Sequence, residues 1–219
     1  ATLTEGEPET PVSRRVLPHL MTRPPTTTDD AAERTLAARL AHDLDGGFEA
    51  FVLVEQDLVF GIALRSTGDA AAAEDLAQDA FVRAYRALAT YDAERIRSLQ
   101  LRAWLARITM NLCRNRARAR RSRPNEIAWD ASPMAVAPPA DPSPAPESVV
   151  LRREADIEWS ARLAALPDRY RTAVELRHVH GLSYEECAVA LDRPVNTVKT
   201  HVHRGVALLR ASVLQEAQL

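Results

Sequence analysis

A stretch of 24 residues, 124–147, holds seven prolines and four acids and has neither lysine nor arginine. Proline has no backbone N–H to give to a helix or a sheet, and so few bulky apolar side chains cannot offset the entropy of ordering the segment. No packed core can therefore run through it. The chain has to fold on either side, as two small domains at 31–123 and 148–219, and 219 residues suffice for that. The stretch between them reads as a semi-extended linker. As polyproline helix, at ~3.1 Å per residue, it would span roughly 70–75 Å. Residues 1–30, with five further prolines among Thr and Glu, read as a disordered leader.

What fills the two domains is helix. The chain is rich in Ala, Leu and Val, with 7 Gly and 5% aromatics, a composition that favours helix over sheet. Asp29 or Asp30 can cap a first helix carrying Leu36, Leu40 and Leu44, which Gly46-Gly47 should end. A second helix, from Phe48 to about Ser66, places Phe51, Val54, Leu58 and Ile62 on one stripe. Thr67-Gly68-Asp69 breaks it, and a third helix covers Ala70 to Leu88. The fourth is expected from about Leu99 to Arg121, with Trp104, Ile108 and Leu112 in register. Trp104, Phe81 and Tyr85 read as core. In the second domain helices are expected at about 148–165, 168–179, 183–191 and 194–213, started by Pro167, a capping box Ser183–Glu186 and Pro194. The expected fold is all-α, two small bundles, the second with a helix-turn-helix.

The formal net charge of −2 hides a strong segregation. Residues 31–94 carry −7 and residues 95–123 carry +10 without one acid, while the linker carries −4 and residues 148–219 only +1. Ten arginines in 29 residues attract a polyanion, and the acidic helices before them offer a face to a basic partner.

Other function classes find little support. Cys113 and Cys187 are too few for a disulfide scaffold or a four-ligand zinc site, and suit a reducing cytoplasm. No apolar run approaches the ~18 residues of a membrane span, so no membrane insertion is expected. His178, His180, Cys187, His201 and His203 do not share a helix face, and no phosphate-binding glycine loop or nucleophile elbow occurs. Neither cofactor nor metal nor enzymatic activity is expected.

Residues 183–204 have the form of a helix-turn-helix. The first helix opens at Gly181-Leu182-Ser183-Tyr184-Glu185-Glu186, Leu191-Asp192-Arg193 turns, and the second helix runs from Pro194 to Arg210. Val198, Val202 and Leu209 face the core, leaving Asn196, Lys199, Thr200, His203 and Arg204 on the other side. Lys and Arg suit phosphate or guanine, and Asn and Thr suit base edges. The absence of an acid from Pro194 to Arg210 lets this helix approach phosphates without repulsion.

This segment, with its lead-in Leu163-Ala-Ala-Leu-Pro-Asp-Arg-Tyr-Arg171, resembles the promoter-binding domain of bacterial sigma factors of the extracytoplasmic-function group. Thr197 to Val202 also resembles the helix-turn-helix of LuxR-type regulators, which bind operators without polymerase. The first domain separates the two. Thr67-Gly68-Asp69 and Ala73 to Arg86 resemble the sigma segment that docks on the clamp helices of RNA polymerase, and Trp104 to Leu112 resembles the helix that opens and reads the minus-ten element. A response regulator would instead carry a receiver domain with an acidic phosphorylation pocket between strands.

The sigma resemblance implies a set of site residues. Asp75, Gln78, Asp79 and Arg83 would meet core RNA polymerase, through the clamp helices of its largest subunit. Arg95, Arg97, Asn111, Arg114 and Arg118 would engage the melted minus-ten element, with the loop Tyr91–Gln100 as its specificity element. Arg177, Pro194, Asn196, Lys199, Thr200, His203 and Arg204 would meet duplex DNA at the minus-thirty-five element. The linker spans more than one and a half duplex turns, about 50 Å. An anti-sigma factor and a monomeric free state are also implied. Asn196, His201, Gly205 and Asn115 depart from the family pattern, and Gly205 should weaken its helix by up to about 1 kcal/mol relative to Ala.

Overall fold

The computed structural model describes the backbone of residues 27–122 and 158–216; most of the leader, the linker and the expected helix start at 148–157 lie outside the described residues. Among those described, every regular element is a helix. The first group comprises α1 (Thr27–His42), α2 (Leu44–Thr67), α3 (Ala70–Leu88), α4 (Ala93–Ser98) and α5 (Leu101–Ser122). The second comprises α6, helical from residue 158 to 165, α7 (Asp168–Val174) with a π-helical continuation Glu175–Val179, α8 (Tyr184–Leu191) and α9 (Val195–Glu216).

Local signals account for most boundaries. Asp69 caps α3 by accepting from the Ala72 amide at 2.7 Å. Gly68, at φ 71°, closes α2 in the left-handed region that glycine occupies without strain. The capping box forms: Ser183 Oγ accepts from the Glu186 amide at 3.1 Å, and Glu186 Oε2 accepts from the Ser183 amide at 2.6 Å. One cap comes from another helix. Glu33 on α1 accepts from the Arg102 amide at 2.9 Å, placing a carboxylate at the N-terminus of α5.

Several expectations need correction. The first helix ends at His42, not at Gly46-Gly47, because Asp43 caps α2 through the Gly46 amide. Gly47 instead allows α2 to approach α1; a Cβ there would stand 3.1 Å from the Leu40 backbone. Val54 is 62% exposed, whereas Glu55 is 4% exposed, so the buried stripe runs through Phe51, Glu55, Leu58 and Ile62. Tyr85 lies at the edge, with its ring 5.1 Å from Phe48 and its hydroxyl bonded to Asp45, while Phe81 packs on the core. Trp104 is half-buried and also packs on the core. The Tyr91–Gln100 loop contains α4, capped by Asp92. The expected α-helix at 168–179 widens into a π turn from Glu175.

The two groups are in contact. Helix α8 packs along α5, and one buried cluster contains Leu101, Leu105 and Leu112 of α5 together with Cys187, Ala188 and Ala190 of α8. A smaller cluster of Trp159, Leu163, Leu166, Val174 and Leu209 holds the second group together.

Candidate nucleic-acid interfaces

The acidic face lies on α3. Burial of Ala73, Leu76, Ala77, Ala80 and Ala84 fixes the rotation of this helix, leaving Asp75, Gln78, Asp79, Val82 and Arg83 exposed together. Arg83 Nε donates to both Asp79 oxygens at 3.2 Å. Asp75 and Gln78 therefore present the acceptors that this pair leaves open.

The basic segment divides. Arg95 lies 3.8 Å over the Tyr91 ring at the α4 turn, and Arg97 is exposed on the same turn. Asn111 and Arg118 are exposed on α5. Arg114 is half-buried and its Nη1 donates to Asn111 Oδ1 at 3.0 Å. That bond leaves the Asn111 amide N–H₂ free to donate, so Asn111 can read an acceptor edge while Arg114 holds it in place.

In the second group Val198, Val202 and Leu209 are buried, while Pro194, Asn196, Lys199, Thr200, His203 and Arg204 form an exposed surface. Thr200 Oγ1 is engaged by the Asn196 carbonyl at 2.8 Å. Arg177 is only half-buried on the preceding helix; its Nη1 donates to the Leu182 carbonyl at 3.1 Å, and it lies 5.0 Å over the Tyr184 ring. Lys199 Nζ is 5.6 Å from the same ring. Tyr184 thus joins Arg177 to the edge of this surface, and Arg177 also pins the turn before α8.

Arg65 and Glu175, to which the sequence reading gave no role, line the junction of the two groups beside residues that it named. A cleft of about 1040 Å³ there is walled by Arg65, Arg114, Arg169, Arg171 and Arg193, together with Cys113, Glu175 and His201. Burial, with Arg169, Arg193 and Arg204 nearby, holds His201 below the usual histidine range, so it is a neutral ring near neutral pH. Burial raises the Cys113 thiol and pushes the Cys187 thiol up to about 12, leaving both unreactive. Glu55 is pushed up to about 7, chiefly by burial against the pull of Arg102. Among the described residues no group of three or more His, Cys, Asp or Glu is placed to hold a metal ion, and no helix is long and apolar enough to cross a membrane.

Comparison with known proteins covers both groups in order. Residues 51–123 match the model for sigma-70 region 2, and residues 157–209 match that for sigma-70 region 4. The RNA polymerase sigma-H factor of Pseudomonas aeruginosa is 33% identical over 79% of this chain and 89% of its own length. The ECF RNA polymerase sigma factor SigW of Bacillus subtilis is 31% identical over 81% of this chain and 96% of its own. Among solved structures, CnrH in complex with the cytosolic domain of CnrY has a TM-score of 0.57 at 25% identity, covering 86% of this chain and 99% of that one. A sigma factor RpoE bound to the anti-sigma factor NepR, from Bartonella quintana, shares the fold at TM-score 0.55 and 22% identity, covering 75% of this chain and 94% of that one. The operator-binding alternative gains no support, because the match extends through the first domain as well as the helix-turn-helix.

Proposed function

Because the chain belongs to the extracytoplasmic-function group of RNA polymerase sigma factors, and so directs promoter recognition and transcription initiation, we propose that its two helical groups divide this work by surface. The assignment makes residues 31–123 the polymerase-docking and minus-ten domain, 124–147 the linker and 148–219 the minus-thirty-five domain. Asp75, Gln78, Asp79 and Arg83 dock on the clamp helices of core polymerase, where opposite charge speeds encounter and fixes register more than it adds affinity. Arg95, Arg97, Asn111, Arg114 and Arg118 engage the melted minus-ten strand. The bases must leave their stack to be read, at a cost of a few kcal/mol, and the arginines offset part of this on the backbone. Pro194, Asn196, Lys199, Thr200, His203 and Arg204 enter duplex DNA, with Arg177 at the margin.

Catalysis of RNA synthesis resides in the polymerase; the chain supplies positioning. It works in the cytoplasm and is monomeric when free, and it has an anti-sigma partner, as the sigma factor RpoE has in its co-crystal with the anti-sigma factor NepR. The observation that carries the division of labour is the exposure of an acidic helix face on α3 and of an acid-free face on α9. Lys199→Ala and Arg204→Ala test it. Each should lower minus-thirty-five-dependent initiation about tenfold, as expected for ~1–3 kcal/mol of lost contact, with core-polymerase affinity unchanged; loss of polymerase binding in either would overturn the assignment.

A further inference from the structure

Tyr170 ties two guanidinium groups to the flank of the groove-reading helix. It is 8% exposed and sits where α7 crosses α9. Its Cβ and carbonyl oxygen lie 3.4 Å from where a Cβ on Gly205 would stand, and the His201 ring meets its ring edge-on at 5.5 Å. These contacts fix the phenol oxygen in place. Arg169 Nη2 donates to that oxygen at 3.2 Å, its guanidinium carbon 4.5 Å from the ring centre. Arg204 donates to the same oxygen from α9, and the two hydrogen bonds hold the phenol below its ordinary range.

A neutral acceptor orders two guanidiniums without cancelling their charge. The neighbouring acid, Asp168, is taken by Arg171, and among the described residues neither Arg169 nor Arg204 is paired with a carboxylate. Both arginines are exposed. The effect on His201 is measurable in the same place: besides burial, the charges acting on it are those of Arg169, Arg193 and Arg204, all positive, and they hold it below the usual histidine range. Fixed like charges repel until an anion lies between them, and planar N–H forks suit an oxyanion with several acceptor oxygens.

The place of Arg204 on its helix says which anion. At about 100° per residue, Arg204 lies about 40° round from Thr200, on the side away from Lys199 and His203 and toward His201. It therefore stands between the base-facing residues and the Arg169–Tyr170 pair. Tyr184, with Arg177 and Lys199 over its ring, occupies the opposite margin. A group held jointly by Arg169 and Arg204 lies at the edge of the reading face, where a duplex carries its backbone. Resting on the promoter-binding reading above, we propose that Arg169 and Arg204, both held by the Tyr170 hydroxyl, form a seat for one phosphodiester of the duplex beside the minus-thirty-five element. Arg169 donates to the phosphate, and Tyr170 is the positioning residue. Such a contact fixes register and adds affinity without reading sequence.

The test measures binding of holoenzyme, core polymerase with the full chain, to a promoter duplex over a series of salt concentrations. Arg169→Gln should lower affinity about tenfold, as for one lost charge-assisted hydrogen bond. It should also flatten the slope of log affinity against log salt by about 0.9, the share of one phosphate, and do so equally on duplexes with altered minus-thirty-five bases. Tyr170→Phe keeps the ring and its packing; it should weaken promoter binding several-fold while the urea midpoint and core-polymerase affinity stay at the parent's values. In that background Arg169→Gln should cost less than in the parent chain. An unchanged slope in Arg169→Gln, a loss that varies with the minus-thirty-five bases, or strictly additive losses in the double variant would overturn the seat. So would inorganic phosphate that, at constant ionic strength, reproduces in the parent the loss seen in Arg169→Gln, since the site would then hold the free ion. If the parent forms no holoenzyme, the promoter reading fails; the same salt series with the chain alone on duplex DNA then decides the seat separately, a flatter slope in Arg169→Gln upholding it and an equal slope overturning it.

Discussion

Gly205 provides a sharp test of the packing because sequence and structure predict opposite signs. On propensity alone, Gly to Ala within a helix is stabilising by about 1 kcal/mol. In the structure, a Cβ at position 205 would stand 2.5 Å from Val174 Cγ2 and 3.4 Å from both Cβ and the carbonyl oxygen of Tyr170. Val174 is fully buried, so its methyl has nowhere to retreat, and overpacking costs about 1–3 kcal/mol. Gly205→Ala should therefore be neutral to destabilising by about 2 kcal/mol. The cause can be isolated: in a Val174→Ala background the clash is gone, and Gly205→Ala should stabilise by about 1 kcal/mol. Urea unfolding of the four full-length proteins, followed by circular dichroism, measures the cycle, with an expected coupling near 2 kcal/mol. Stabilisation by Gly205→Ala in the parent chain would refute the close approach of α9 to α7.

Further outcomes follow from the same contacts. His180 is held below the ordinary 6.5 by burial and by Arg65 and Arg102, so the folded chain loses stability as pH falls below 6.5. Glu55, facing Arg102, Glu33 and Glu186, is pushed up from 4.5 to about 7, so the folded chain gains stability as pH falls from about 7. The two slopes oppose each other, so what these two groups add to the parent's unfolding free energy should stay nearly level between about pH 6.5 and 5. Glu55→Gln removes one of them; its folding equilibrium constant, from urea unfolding, should fall about tenfold per pH unit below 6.5 relative to the parent's, and a profile parallel to the parent's would contradict the account. Ser183→Ala removes half of the capping box and should cost about 1 kcal/mol, seen as faster amide exchange in the first turn of α8.

Short-range signals were the legible part. Asp69, Ser183 and Gly68 act within one turn of their own position, so α3, α8 and the end of α2 lie where the sequence places them. The stripe on α2 was misread because Val54 and Glu55 are adjacent and about 100° apart around the axis; hydrophobicity selected Val54, whereas packing buries Glu55 against Arg102 on another helix. Gly46-Gly47 has the form of a terminator, but Asp43 is the stronger local signal and Gly47 answers to the approach of α1. The close approach of His180 to Gly61 joins residues more than a hundred positions apart, and no local pattern announces it or the π turn before it. The exposed faces of α3 and α9 were predictable from amphipathicity; the roles given to Asp75, Asn111 and Lys199 came through the family resemblance.

The central claim is tested most directly by reconstitution. The purified full-length chain is added to core RNA polymerase with a genomic promoter library, and transcript starts are mapped. The account predicts starts that require the chain, share a common pair of upstream elements about one and a half duplex turns apart, and disappear at minus-thirty-five-dependent sites with Lys199→Ala. Tight sequence-specific DNA binding by the chain alone, with no start that depends on it, would contradict the account.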